Sequence, residues 1–484
     1  MAISSRYSQM MRAPLLSQGR RVRPRRLLGG ALVLTLLAPV FLVNIVSRAG
    51  GATSSPLTTQ WLGYHGGANG AGVAVGLGGF HTSVPKWTSS VLDGQVYGEP
   101  LVFRDEVIVA TENDSVYALS TVDGRVLWHE HLGPAVPAHL LPCGNISPLV
   151  GITGTPVIDP ARREVFALDF ELGPHGPVHF LYGLGLARGA LMLREALRTP
   201  SADQTPYLNR SALALSRGEV IYSFGGNYGD CGNYHGVVGA LSEIAPSRAT
   251  SYVVDSSPGQ REGAIWMGGA APAVDAAGNV WVSSGNGSVT SAGQPYDHSD
   301  AVLELSPSMK LASYFTPSNW YQDNAADADL GSEPALMADG LAVATGKSGH
   351  IYLLRVAHLG GVGGQVSMID SHCGDVLVGG VAIEGHTVFL PCMAGTEAAL
   401  VTSSPATIKI IWHASVGSGP PIVAGARVWT IGSDGVLYGL NPRSGAVMQR
   451  ASLGPEANHF ATPSVGAGML LAPLARGVVA FAAT

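Results

Sequence analysis

From Gly98 to Gly133 the chain reads GEPLVFRDEVIVATENDSVYALSTVDGRVLWHEHLG, four short runs in which apolar and polar residues alternate. The runs are Pro100–Phe103, Glu106–Thr111, Ser115–Ser120 and Arg125–His131. Between them stand Arg104-Asp105, Glu112-Asn113-Asp114 and Val122-Asp123-Gly124. Alternation with a period of two predicts strands, because successive side chains of a strand point to opposite faces. Asp-Gly and Asn-Asp supply the backbone conformations that hairpin turns need. The segment therefore predicts a four-stranded antiparallel meander of about 36 residues.

The same grammar returns along the chain. Runs of this kind begin at Gly154, Ser211, Gly269, Gly331, Gly379 and Gly419, and a last one at Phe460 stops after three strands. Its missing outer strand is available at Val84–Leu92, VPKWTSSVL, where Trp87 takes the place held by Trp128 and Trp412 in other repeats. Repeats of this length indicate a propeller or a solenoid. A solenoid needs capped ends, whereas a ring closed by an N-terminal strand removes its sheet edges. The prediction is all-β: an eight-bladed β-propeller.

Composition agrees. Charged residues are 13% of the 484 residues, about half the usual share, while hydrophobic residues reach 46%. Glycine (64) and proline (31) are plentiful without a collagen period, which suits short strands and tight turns rather than helices. The net charge of −6 supplies no basic field for nucleic acid, so that class of partner is set aside.

The N-terminus has another character. Residues 1–26 carry seven arginines and no acid, and Leu27 to Val46 is apolar except for Thr35 and Asn44, with Gly29, Gly30 and Pro39 interrupting it. About 20 helical residues cross a hydrocarbon core of roughly 30 Å, and arginine on the leading side keeps that end inside the cell. The expectation is a cytoplasmic stretch (1–26), a transmembrane signal-anchor or signal peptide (27–46), a linker (47–60) and a propeller (61–484) outside. The protein is then a single-pass cell-membrane protein, or a secreted one if it is cut near Gly50-Gly51-Ala52. Arg20-Arg21 and Arg25-Arg26 lack the remainder of a twin-arginine signal.

At VYALSTVDGRVLW (Val116–Trp128) and VLYGLNPRSGAVM (Val436–Met448) the chain resembles the pyrroloquinoline-quinone (PQQ) repeat. In that repeat a turn ending in glycine precedes a strand whose aromatic residue docks on the neighbouring blade. The resemblance covers about Trp61 to Thr484 and points to the quinoprotein alcohol dehydrogenase-like superfamily, which includes both dehydrogenases and a non-catalytic scaffold lipoprotein. In the dehydrogenases PQQ lies on the propeller axis with a calcium ion held by a glutamate and an asparagine. An aspartate acts as base, and a basic residue faces the quinone. Carried onto this chain, the resemblance implies Asn286 in SSGNG and Asp230 in FGGNYGDCGNYHG as calcium and cofactor ligands. It implies Asp300, with Asp297 as second choice, in YDHSDAVLELSP as the base, and Lys347 in ATGKSGHIYLL as the quinone-facing cation.

The departures are equally plain. Asp230 stands where the family has glutamate, no two cysteines are adjacent, and there is no CxxCH haem site. Asn286-Gly287 and Lys347-Ser348-Gly349 also read as ordinary hairpin turns. Asp297 and Asp300 read equally as aspartates that satisfy turn backbone. The run Asp323–Ser332 gathers carboxylates that could hold calcium or serve as a loop between blades, but lacks the glycine and closing glutamate of an EF-hand. His235 and His350 have no spaced second ligand.

Cys143, Cys231, Cys373 and Cys392 form an even set in an exported chain, which favours two disulfides. Three pairings are open. The turn at Glu384-Gly385 brings Cys373 near Cys392, which leaves Cys143 for Cys231. The spacing has no zinc character. Two functions follow as expectations: a monomeric extracytoplasmic propeller that binds a protein or small molecule at its loop-bearing face, or a PQQ- and calcium-dependent oxidoreductase.

Overall fold

The computed structural model describes residues 60–67, 69–373, 379–454, 457–458 and 460–484. The basic stretch and the apolar segment expected to cross or enter a membrane lie outside these. Among the described residues no helix is long and apolar enough to cross a membrane.

Eight antiparallel sheets form the blades, with inner strands beginning at Leu101, Val157, Ala214, Ala273, Ala335, Ala382, Ile422 and Ser464. The eight-bladed ring is thus as the repeats predicted. Blade 1 comprises Leu101–Phe103, Glu106–Thr111, Ser115–Ser120 and Val126–His131, each within one residue of its alternating run. Its two middle strands are almost wholly buried, with Val107, Ile108, Val116 and Leu119 at 0% exposure. Both faces of a middle strand meet neighbouring blades, so the core lies between blades.

The last blade is completed from the N-terminal side. Trp87 pairs with Ala480, and backbone bonds run from Lys86 N to Ala480 O (2.8 Å), Ser89 N to Val478 O (2.9 Å) and Leu92 N to Arg476 O (3.0 Å). Regular pairing is confined to Trp87–Thr88, shorter than the predicted Val84–Leu92. Pro85 has no N–H to contribute to the ladder.

The tryptophans lock each blade to the next. Trp87 Nε1 donates to Thr121 O (3.1 Å), Trp128 Nε1 to Leu186 O (2.6 Å) and Trp412 Nε1 to Pro442 O (2.9 Å). Each indole covers a turn glycine of the following blade. At Gly124 φ is +72°, and a Cβ would stand 2.5 Å from the Trp87 ring, so both backbone conformation and space require glycine there. Gly189 and Gly445 repeat the arrangement under Trp128 and Trp412.

Trp61–Gly67 and Asn69–Ala74 form a hairpin that lines the central channel. Trp61 and Val102 exchange two backbone bonds of 2.8 Å, and Ile158 N donates to Leu62 O (2.7 Å). On the return, Ile383 N donates to Ala71 O (2.9 Å), and Val73–Ala74 runs parallel to Val423–Ala424. The hairpin thus joins the inner strands of blades 1, 2, 6 and 7. At its tip His65 N donates to Glu99 Oε2 (2.7 Å), and Gly70 packs against Glu333. Glu99 and Glu333 stand one residue before the prolines that open two inner strands, as Thr155 and Thr462 do in other blades.

Candidate functional site

In a four-stranded meander the connection into each inner strand and the turn between second and third strands lie at the same end. Every residue singled out by the resemblance sits in such a connection, so all share one face. Asp230 lies between the second and third strands of blade 3, Asn286 and Asp300 between those of blade 4, and Lys347 between those of blade 5.

One cluster on this face is built around Trp266, in the connection from blade 3 to blade 4. Its indole Nε1 donates to Asp329 Oδ2 (2.8 Å), and the Lys347 ammonium lies 5.4 Å from the centre of its ring, a cation–π arrangement. Lys347 Nζ also pairs with Asp329 Oδ1 (2.8 Å) and Asp327 Oδ1 (2.5 Å). Asp327 caps the short helix Trp320–Ala326 in left-handed conformation, φ 53°. That cap turns the chain so that Asp327 and Asp329 both reach Lys347. Close packing fixes the pair: a Cβ at Gly285 would stand 2.5 Å from Asp329 Oδ2, and one at Gly331 2.5 Å from the Trp266 ring.

Asp230 stands at the edge of this cluster. Tyr234 Oη donates to its Oδ1 (2.5 Å). Burial raises its carboxyl above the ordinary range and Asp327 adds to the rise, while Tyr234 and Lys347 oppose it. Burial likewise raises the Asp329 carboxyl, and Lys347 draws it back. Burial would lower the Lys347 ammonium, but Asp329 and Asp327 outweigh it and raise it instead. The result is one half-buried cation set among carboxylates beside a half-buried aromatic ring. Further along the same face, Arg210 is buried against Tyr97 and Phe460, with centroids 5.5 and 5.3 Å away, and Phe460 packs on Trp266.

Asp300 and Asp297, the aspartates of YDHSDAVLELSP, have different surroundings from Asp329. Asp300 is fully buried, φ 44°, and its Oδ1 accepts from Leu330 N (3.1 Å). It braces the Asp329-Leu330 backbone from behind. Asp297 Oδ1 accepts from Ser299 N (3.1 Å) and Ser299 Oγ (2.5 Å), a local turn bond. Asn286 is half-buried, and its backbone carbonyl accepts from Gly263 N (2.9 Å), tying it to the connection that carries Trp266. His235 and His350 each face one carboxylate, Asp255 (3.1 Å) and Asp370 (2.8 Å).

Trp266, Asp329, Asp327 and Tyr234 were not singled out in the sequence. Asp327 and Asp329 fall inside the carboxylate run Asp323–Ser332, where spacing alone does not say which members converge. A large aromatic in the glycine-rich stretch GAIWMGG was the available signal for Trp266.

The disulfides are Cys143–Cys231, spanning 88 residues, and Cys373–Cys392, spanning 19, the pairing expected from the hairpin argument. The first clamps the loop that carries Asp230, beside a cavity of about 30 Å³ lined in part by Leu141, Cys143, Asn227 and Tyr228.

Comparisons with known proteins agree with this frame. The family described as outer membrane protein assembly factor BamB matches residues 81–174. The quinohemoprotein alcohol dehydrogenase of Comamonas testosteroni superposes with a TM-score of 0.63 at 13% identity, over 89% of this chain and 81% of that one. A europium-containing methanol dehydrogenase gives 0.63 at 13%, over 89% and 99%. BamB of Moraxella catarrhalis gives 0.53 at 16%, over 82% and 98%. No curated protein matches the sequence. At such identities the likeness shows fold. By its repeats, its eight blades and these likenesses, the chain is an eight-bladed β-propeller that shares its fold with these dehydrogenase and BamB structures, and the family model marks residues 81–174 as similar to BamB.

Proposed function

We propose that the loop-face site binds a planar, acid-bearing quinone of the PQQ class with a calcium-class cation, and that the protein oxidises an alcohol outside the cytoplasm. The observation that carries this reading is the half-buried Trp266 ring with the Lys347 ammonium over it, Asp329 on its N–H, and Asp327 and Asp329 both on Lys347. A flat anionic ligand stacks on such a ring and meets the ammonium at its edge. The oxygen donors Asp230 and the Asn286 amide are of the kind a calcium ion takes. When bound, a quinone of this class accepts the two electrons of the alcohol. Asp329 is the group best placed to take the hydroxyl proton, since the Trp266 N–H and Lys347 fix its orientation and burial lifts its proton affinity. Asp300 positions Asp329 through the Leu330 N–H.

The test is reconstitution of the purified chain with PQQ and Ca²⁺, read by quinone absorbance and by dye reduction with alcohols. We expect stoichiometric binding that Lys347→Ala weakens by at least tenfold. Absence of binding at tens of micromolar would overturn the reading. A second reading, a scaffold that binds protein at the same face, draws on the BamB family match at residues 81–174. It is favoured if no quinone binds while the protein captures a partner through that face.

A further inference from the structure

The second disulfide has surroundings unlike those of the first. Cys373 lies in the connection from blade 5 to blade 6, Cys392 ends the second strand of blade 6 (Thr387–Cys392), and His413 lies on its outer strand (Ala406–Ala414). Both sulfurs and a ring nitrogen of His413 lie within 4.8 Å of one another. His413 Nδ1 is 3.3 Å from Cys373 Sγ and 3.6 Å from Glu397 Oε1, whereas Nε2 faces Ser415 Oγ at 3.3 Å. Glu397 is fully buried, at 0% exposure, so its carboxylate places negative potential beside the donor nitrogen.

Each donor is held by bonds independent of the sulfur–sulfur link. Cys392 pairs with Gly395, and Glu397 pairs with His413, in the sheet register of blade 6. His372 N donates to Glu397 Oε1 (2.7 Å), Ser371 Oγ to Glu397 Oε2 (2.9 Å), and Cys373 N to Ser371 Oγ (2.9 Å). Opening the disulfide therefore leaves two thiols and an imidazole gathered at one point. A tetrahedral ion with Zn–S bonds of about 2.3 Å needs its sulfurs roughly 3.8 Å apart. Cα atoms 6.0 Å apart allow that by side-chain rotation.

We propose that Cys373, Cys392 and His413 form a redox-gated site for a thiophilic ion of the zinc kind, shut while the disulfide is intact and opened by a dithiol reductant. The dithiol becomes a disulfide as two electrons and two protons pass to the cystine, giving two thiols. The ion then takes two thiolates and the neutral imidazole and releases those two protons. Glu397 or water completes the four-coordinate shell. The cysteine spacing alone did not suggest zinc, because the nitrogen donor comes from a strand 40 residues beyond Cys373.

The test uses the full chain. After treatment with dithiothreitol, free thiols are counted with the protein folded. A sample reduced with a phosphine is then titrated with Zn²⁺ against a chromophoric chelator. Co²⁺ serves as a second probe for thiolate charge-transfer absorption. We expect one ion per reduced chain and none per oxidised chain. Cys373→Ser should abolish binding, His413→Ala should weaken it by at least about 100-fold, and Glu397→Gln by about tenfold. The proposal is overturned if the oxidised chain binds equally, if reduced Cys373→Ser binds as well as the reduced natural chain, or if the disulfide resists dithiol in the folded protein. The contrast between oxidised and reduced natural chain stands even where a variant misfolds.

Discussion

Asp329 on the loop face and Glu333 in the channel are four residues apart and equally buried, each with 1% exposure, yet their chemistry differs. Asp329 has the Lys347 ammonium at 2.8 Å and an indole N–H at 2.8 Å. Among the described residues neither oxygen of Glu333 has a hydrogen-bond partner. Burial pushes the Glu333 carboxyl well above the ordinary range, and Glu99 pushes it further. Burial does the same to Glu99, against the pull of the His65 N–H. An unpaired carboxylate is costly to bury, so burial and Glu99 both favour the neutral acid at Glu333. Asp329, paired with Lys347, can persist as an anion. Burial alone does not keep a carboxylate charged here; a fixed countercharge does.

This contrast can be broken most forcefully at the cation. Lys347→Met leaves buried Asp329 without its partner and should cost about 3–5 kcal/mol in urea unfolding at pH 7. A second substitution, Asp329→Asn, should recover much of that loss. A single-variant loss below about 1 kcal/mol would mean that the ion pair is not what separates the two regions.

The next effect lies in the channel. A carboxyl whose folded pKa is raised contributes stability that is full below its unfolded value and lost as pH rises through the folded value. Stability should therefore fall with rising pH by about 1.4 kcal/mol per pH unit for each acid that has lost its proton only in the unfolded chain. Glu333→Gln should flatten that slope and be the more stable chain under alkaline conditions. Denaturation curves from acid to alkaline pH check this, and unchanged slopes would remove Glu333 from the account.

Two smaller changes sharpen the comparison. Trp266→Phe keeps an aromatic face, smaller than the indole, but removes the N–H given to Asp329, and should cost at least about 1.5 kcal/mol, the scale of a hydrogen bond to a charged group. Tyr64→Phe removes the hydroxyl that meets Thr462 at 3.4 Å and the Gly380 backbone, with no charged partner, and should cost about 0.5 kcal/mol. If the two costs came out equal in calorimetric melts, the loop-face bond would carry no added charge.

Much of the frame was legible before any coordinates. The alternation in Glu106–Thr111 and Ser115–Ser120 predicted those strands with the same ends. The recurring tryptophan before a turn-bearing repeat identified the docking residues and the strand that closes the ring. The candidate site was legible in part: Lys347 and Asp230 come close enough to influence one another, whereas Asp300 supports the site from behind. Asp329 was hidden among neighbours of the same type in Asp323–Ser332. The channel acids were hidden as well, since Glu99 in GEP and Glu333 in SEP look like turn residues until the ring brings them to the axis.

Strand positions, blade number and the closing strand were settled by the chain alone, because each rests on alternation and turns that act over a few tens of residues or on one repeated pattern. The cysteine pairing, by contrast, was left open among three, and the fold gives Cys143–Cys231 and Cys373–Cys392. The folded ring decided which carboxylates gain a cation, which stay neutral, and which nitrogen meets the second disulfide. His65 Nδ1 lies 3.1 Å from the Val381 carbonyl across 316 residues, and contacts of that span leave no local trace. The protonation of a buried group depends on such contacts, because burial and the nearest charge together set its free energy.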